Sequence, residues 1–168
     1  MANSETVSEA TSETMTDERF SSVSEPENQH ESQSVKPVDI RRSAMDLLAR
    51  REHSRLELSR KLHKRFSHYE TIETVLDQLV QDQLLSEKRF TEAYVSYRKR
   101  AGFGPVKIAS ELRERGINDV LADKFLHQNS EDWRASAAAA KQKKFGDIAA
   151  IDVKEKLRQH RFLLYRGF

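Results

Sequence analysis

Three groups of cations carry the residues best suited to chemistry in this sequence. Arg98, Lys99 and Arg100 form a run, Lys107, Arg113 and Arg115 follow it, and Lys141, Lys143 and Lys144 come later. Guanidinium offers a planar fork to phosphate or carboxylate, and ammonium a compact point charge, so such groups suit a polyanion or an acidic protein surface. They also suit helix C-termini, where a cation complements the macrodipole. Between the first two groups lies Gly102-Phe103-Gly104-Pro105, whose Phe103 is a candidate exposed contact. That loop lacks the Lys-Ser/Thr of a phosphate-cradling P-loop, and no strand pattern precedes it.

Catalysis and metal binding find little support. The histidines are His30, His53, His63, His68, His127 and His160, and no two are spaced as a helical ligand pair. There is no cysteine, which removes disulfides and thiolate metal sites and fits a reducing compartment. Glu57 with Lys61, and Glu111 with Arg115, stand at ion-pair spacing on a helix rather than as an acid–base pair. The expectation is a non-enzyme with no cofactor and no metal site.

The elements that must position the cations read as helices. Ile72, Val75, Leu76 and Leu79 recur at helical spacing, as do Phe90, Ala93, Tyr94 and Tyr97, and no stretch sustains the alternation of a strand. Ser54 with Glu57, and Ser67 with Glu70, match the capping-box spacing. Helices are expected at about 40–51, 54–65, 69–83, 87–101, 105–115, 119–128, 131–145 and 153–165. Pro105 suits a first helical turn, Gly102 and Gly104 a joint, and Gly116 the residue just past a helix end. Pro105, Ile108, Ala109 and Leu112 then form an inner face, with Lys107, Arg113, Glu114 and Arg115 pointing elsewhere. Tyr94, Tyr97, Trp133 and Tyr165 read as core aromatics.

The short helix recurs. Leu58 and Leu62 correspond to Ile108 and Leu112, and Leu163, Arg166, Gly167 and Phe168 fall in the register of Leu112, Arg115, Gly116 and Ile117. The period is near fifty residues, which implies repeated supersecondary units, and a third unit fits if Gly146 to Lys154 is an insertion.

These residues carry a resemblance. "LARREHSRLELSRKL", "LLSEKRFTEAYVSYRKRAGFGPVKIASELRERGI" and "RFLLYRGF" together resemble the pattern of the bacterial RecX family of recombinase regulators over about residues 44–168. The resemblance implies an all-α fold of tandem three-helix repeats, elongated and curved. It implies binding to the RecA recombinase filament on single-stranded DNA, along the filament groove, with restraint of ATP hydrolysis, strand exchange and coprotease activity. His53 matches a family position at a helix joint. The family continues past the "RGF" glycine into one more helix, whereas this sequence stops at Phe168, so the third unit is expected to lack its final helix and leave Leu163, Leu164 and Phe168 partly uncovered.

Charge and composition complete the expectations. Residues 1–35 hold eight acidic side chains and Arg19, a charge of −7, which leaves 28 basic against 19 acidic, or +9, for residues 36–168. The N-terminal stretch has too little apolar surface to fold by itself. The expected organisation is a disordered acidic tail over 1–37, repeats over 38–85 and 86–129, and an incomplete repeat over 130–168. No segment has secretory or membrane-spanning character, so a cytoplasmic monomer is expected. Single- or double-stranded DNA is a further candidate partner. Two readings from other classes stand beside the regulator: a helix-turn-helix DNA-binding protein, and a helical scaffold that binds no recombinase.

Overall fold

A computed structural model describes residues 36–127, 130–146 and 152–168. The acidic tail up to residue 35, and residues 147–151 within the proposed insertion, lie outside the described residues. Among the described residues there are eight helices and no strand: α1 (Pro37–Leu48), α2 (Arg55–His63), α3 (Tyr69–Gln81), α4 (Glu87–Arg100), α5 (Pro105–Glu114), α6 (Asp119–Leu126), α7 (Ser130–Phe145) and α8 (Val153–Arg166).

Their starts follow from short polar side chains and proline. Ser54, Ser86 and Asn118 accept hydrogen bonds from the backbone N–H of Glu57, Arg89 and Leu121, satisfying donors that a helix start leaves free. Pro37 and Pro105 occupy first turns, where a missing N–H costs nothing. The second expected capping box is absent. His68, not Ser67, precedes α3 and makes no side-chain cap, while the turn closes through Arg65 and Phe66 N–H groups donating to Leu62 O.

Two cores result. Ile40 and Ala44 of α1, Leu58 and Leu62 of α2, and Ile72, Val75, Leu76 and Leu79 of α3 form the first, closed by Leu85. Phe90 and Val95 of α4, Ile108 and Leu112 of α5, Ile117, and Ala122 and Leu126 of α6 form the second. Each fully buried Leu, Ile or Phe contributes about 1.5–3 kcal/mol of transfer free energy. The α7 helix packs on α8, with Phe145 and Phe162 meeting edge to face at 5.3 Å. Trp133 of α7 packs against the second core and donates its Nε1–H to Leu126 O at 2.7 Å. Leu163 and Phe168 are half-buried and Leu164 is exposed.

The expected inner face of α4 is corrected by one position. Phe90 is buried and Tyr94 packs half-buried against the same core, but the other inward residues are Thr91 and Val95, while Ala93 and Tyr97 are exposed. A polar Thr91 can be buried because its hydroxyl donates to Glu87 O within the helix at 2.7 Å. Tyr165 is also on the surface rather than in the core.

Past the end of α3, Gln83 adopts φ +57°, the one non-glycine residue in the left-handed region among those described. Gly at this exposed position removes a Cβ penalty of about 1 kcal/mol. Gln83→Gly is therefore expected to raise stability by about 0.5–1 kcal/mol, since the bond from Arg89 Nη1 reaches only the Gln83 backbone carbonyl and survives. Denaturant unfolding checks this, and a lower midpoint would contradict it.

Candidate anion-binding interface

Helices α8, α5 and α2 are joined end to end, and the junctions place the cations. At the first junction the C-terminus of α5 meets the N-terminus of α2: Ser54 Oγ, already the α2 cap, donates to Arg115 O at 2.7 Å. At the second, the C-terminus of α8 meets the N-terminus of α5, where Gly104 N–H donates to Arg166 O at 2.8 Å and Val106 N–H to Gly167 O at 3.1 Å. Each junction brings the negative end of one helix dipole to the positive end of the next. The two helix ends are built alike, with Ile117 N–H donating to Leu112 O at 3.1 Å and Phe168 N–H to Leu163 O at 3.0 Å.

Glycine is required at these joints for two reasons. Gly116 and Gly167 have φ of +81° and +88°, beyond easy reach of other residues, and each also faces the neighbouring helix. Gly104 has an ordinary φ of −89°. Its requirement is space, because a Cβ there would lie 2.6 Å from Phe168 N and closer still to the Gly167 carbonyl. The joint expected of the Gly-Phe-Gly-Pro loop is thus present, but Gly104 serves close approach rather than unusual backbone angles.

A charge network lines the first junction. Glu57 Oε2 lies 3.0 Å from Arg51 Nη1 and 3.2 Å from His53 Nδ1, and its Oε1 lies 3.1 Å from Arg115 Nε. Glu111 binds both Arg98 and the Tyr94 hydroxyl. The expected Glu57–Lys61 and Glu111–Arg115 pairs are replaced by these partners, with Arg115 Nη1 donating instead to the Glu111 backbone carbonyl at 2.6 Å. Burial, opposed by the Glu57 contact, lowers the His53 pKa and favours its neutral form. Burial together with the bond to Glu111 pushes the Tyr94 phenol up to about 12.

The candidate contact residues therefore divide. Arg98 is half-buried against Glu111, with its guanidinium 3.6 Å from the centre of the Phe103 ring. Phe103 is half-buried beside the second core and also carries Arg166 at 4.6 Å. Arg115 is tied to Glu57 and lies over Tyr94. Arg113 reaches Asp119 in an exposed pair at 3.0 Å, of the kind that contributes little. Lys107, Lys143, Lys144 and Arg100 are exposed, and Lys141 is half-buried. Among the described residues, no cluster of potential metal ligands occurs, and no helix is long and apolar enough to cross a membrane.

Two of the three groups converge on one groove. Lys99 and Arg100 at the end of α4, Lys143 and Lys144 at the end of α7, and Arg166 of α8 line a groove of about 450 Å³. No carboxylate lines it among the described residues, although Asp132 pairs with Lys99 at 3.1 Å. Arg166 is not among the contacts expected from the sequence, although it occupies the position of Arg115 in the repeated Leu-x-x-Arg-Gly motif, a signal that marks it.

Comparison with known proteins decides the lineage. Residues 41–79 match the first three-helix domain of RecX and residues 86–126 the second. The chain is 48% identical over 132 residues to the regulatory protein RecX of Pseudomonas savastanoi pv. phaseolicola, covering 79% of this chain and 85% of that protein. It belongs to the RecX family. An equal 48% identity, with the same coverage, relates it to the regulatory protein RecX of Pseudomonas syringae pv. tomato. The crystal structure of RecX from Lactobacillus salivarius superposes with a TM-score of 0.66 at 20% identity, covering 79% of this chain and 88% of that one, which shows a shared fold. The two RecX domain matches coincide with the two cores, so α1–α3 and α4–α6 are tandem three-helix units of this RecX-family chain. The "RGF" and "RGI" sequences that carried the resemblance are the helix-joining ends described above.

Proposed function

We propose that this chain is a regulator of the RecA recombinase that binds the recombinase filament on single-stranded DNA and restrains its ATP hydrolysis, strand exchange and coprotease activity. The observation that carries this reading is the 48% identity, over most of both chains, to proteins named regulatory protein RecX. The form of the molecule is consistent with it. Successive units joined end to end present exposed cations on more than one unit, as a ligand that follows a filament requires, and the charge network at the first junction serves to hold the units together. The protein acts in the cytoplasm as a monomer, without cofactor and without catalysis of its own.

Lys99, Arg100, Lys107, Arg113, Lys141, Lys143 and Lys144 are the contact surface in this reading, facing DNA phosphates or acidic patches of the recombinase. Arg98, Arg115 and Phe103 support it from within, because their side chains are engaged inside the protein. The test is co-sedimentation with recombinase filaments formed on single-stranded DNA. The full chain is expected to pellet with the filament, less so as salt is raised, and charge reversal at Arg100 and Lys144 to weaken pelleting most at low salt, since exposed contacts are screened. Absence of binding to the filament, with a protected site on duplex DNA instead, would favour the helix-turn-helix reading; binding to neither leaves the scaffold.

A further inference from the structure

We infer that the groove between α4, α7 and α8 binds the phosphodiester backbone of single-stranded nucleic acid, and that filling it fastens α8 onto α5. This deepens the proposed function by naming the chemistry of one contact. Its test uses DNA without recombinase, so its failure and the failure of that function read out separately.

The cations come from three helices. Lys99 and Arg100 stand on one wall, Lys143 and Lys144 on another, and Arg166 on the third. Like charges facing each other across a groove repel, and a polyanion placed between them converts that repulsion into attraction toward a shared ligand. Asp132 neutralises only Lys99, from outside the lining.

The walls favour nucleic acid over an acidic peptide. Between the cations they consist of Ala101, Gly102, Ala139, Ala140 and the Phe162 ring, with Ser136 as the neutral polar side chain. A peptide laid there brings backbone N–H and C=O groups that need partners the alanine and glycine walls do not offer. A phosphodiester brings acceptors alone, and lysine and arginine are donors alone. With nothing aimed at base edges, binding is expected to be independent of sequence. An open groove of about 450 Å³ takes a short length of one strand.

Coupling to the junction follows from Arg166. Its side chain lines the groove and donates to Ala101 O at 3.2 Å, while its own carbonyl accepts from Gly104 N–H. A ligand that holds the Arg166 side chain also holds that carbonyl in place. The amides of Gly104 and Val106 are therefore reporters of occupancy.

The experiment titrates the full chain with an oligodeoxythymidylate about 15 nucleotides long and, separately, with poly-glutamate. Binding of the oligonucleotide is expected to fall with rising salt and to slow hydrogen exchange at Gly104 and Val106. The double variant Lys143→Glu, Lys144→Glu should bind at least about tenfold more weakly, with the salt slope reduced by roughly 0.7 per lysine lost. Arg100→Glu, on the opposite wall, provides a second variant should the first lose helical content. Undiminished binding by both variants would overturn the site, and equal affinity for poly-glutamate would assign it to an acidic protein surface instead. Binding without slowed exchange at the two amides would overturn the coupling.

Discussion

Gly104→Ala is expected to release α8 from α5 while both three-helix cores stay folded. The added Cβ has no room to move into. It would lie 2.6 Å from Phe168 N and nearer to the Gly167 carbonyl, and these are backbone atoms rather than the ends of flexible side chains. The junction must open, which removes the bonds from Gly104 N–H to Arg166 O and from Val106 N–H to Gly167 O. Two backbone bonds at about 0.5–1.5 kcal/mol each set the minimum loss, before the displaced contact of Arg166 with Phe103 is included. Hydrogen exchange should show the amides of Gly104, Val106 and the last turn of α8 opening, with those of the α1–α6 cores protected as before. Gly146→Ala is the control: φ is +72° there and nothing lies within 4 Å, so it should cost about 1 kcal/mol of local strain and leave the junction closed. Unchanged protection at Gly104 and Val106 in Gly104→Ala would contradict the end-to-end docking of the helices. If the proposed function holds, the same variant weakens restraint of the recombinase by misplacing the third helix pair.

Leu112→Ala is expected to cost about 2–5 kcal/mol, whereas Lys107→Ala should stay within about 0.5 kcal/mol, although both lie on α5. Leu112 is fully buried among Phe90, Ile108 and Leu126, so truncation leaves a cavity that the surrounding helices cannot fill. Its backbone carbonyl accepts from Ile117 N–H, so a shift of the helix end to close the cavity also disturbs the junction with α2. Lys107 is exposed, and alanine keeps the Cβ that packs beside Gly167. Denaturant unfolding of the two variants measures the difference. Similar midpoints would mean that α5 presents another face to the core.

Local chemistry made most of the fold legible in the sequence. Helix starts at Ser54, Ser86 and Asn118 and helix ends at Gly116 and Gly167 are written in single residues whose preferences do not depend on distant partners. The α3 stripe of Ile72, Val75, Leu76 and Leu79 reads correctly because every member is apolar. The α4 stripe does not, since Thr91 conceals its hydroxyl within the helix and Tyr97 is apolar enough to pass for core. Side-chain pairing was the least legible. Arg98 finds Glu111 thirteen residues away and Arg115 finds Glu57 on another repeat, and spacing along one helix cannot show either. The convergence of Lys99, Arg100, Lys143 and Lys144 on one groove likewise depends on how α7 packs, which no periodicity encodes.

The central claim is tested most directly by the ATP turnover of recombinase on single-stranded DNA with the full chain titrated in. Substoichiometric amounts are expected to slow turnover, because one molecule lying along the filament affects several protomers or blocks extension. The effect should weaken as salt is raised and weaken further with the Arg100 and Lys144 charge reversals. Turnover unchanged at every ratio, with the chain folded as judged by its helical content, would contradict the account.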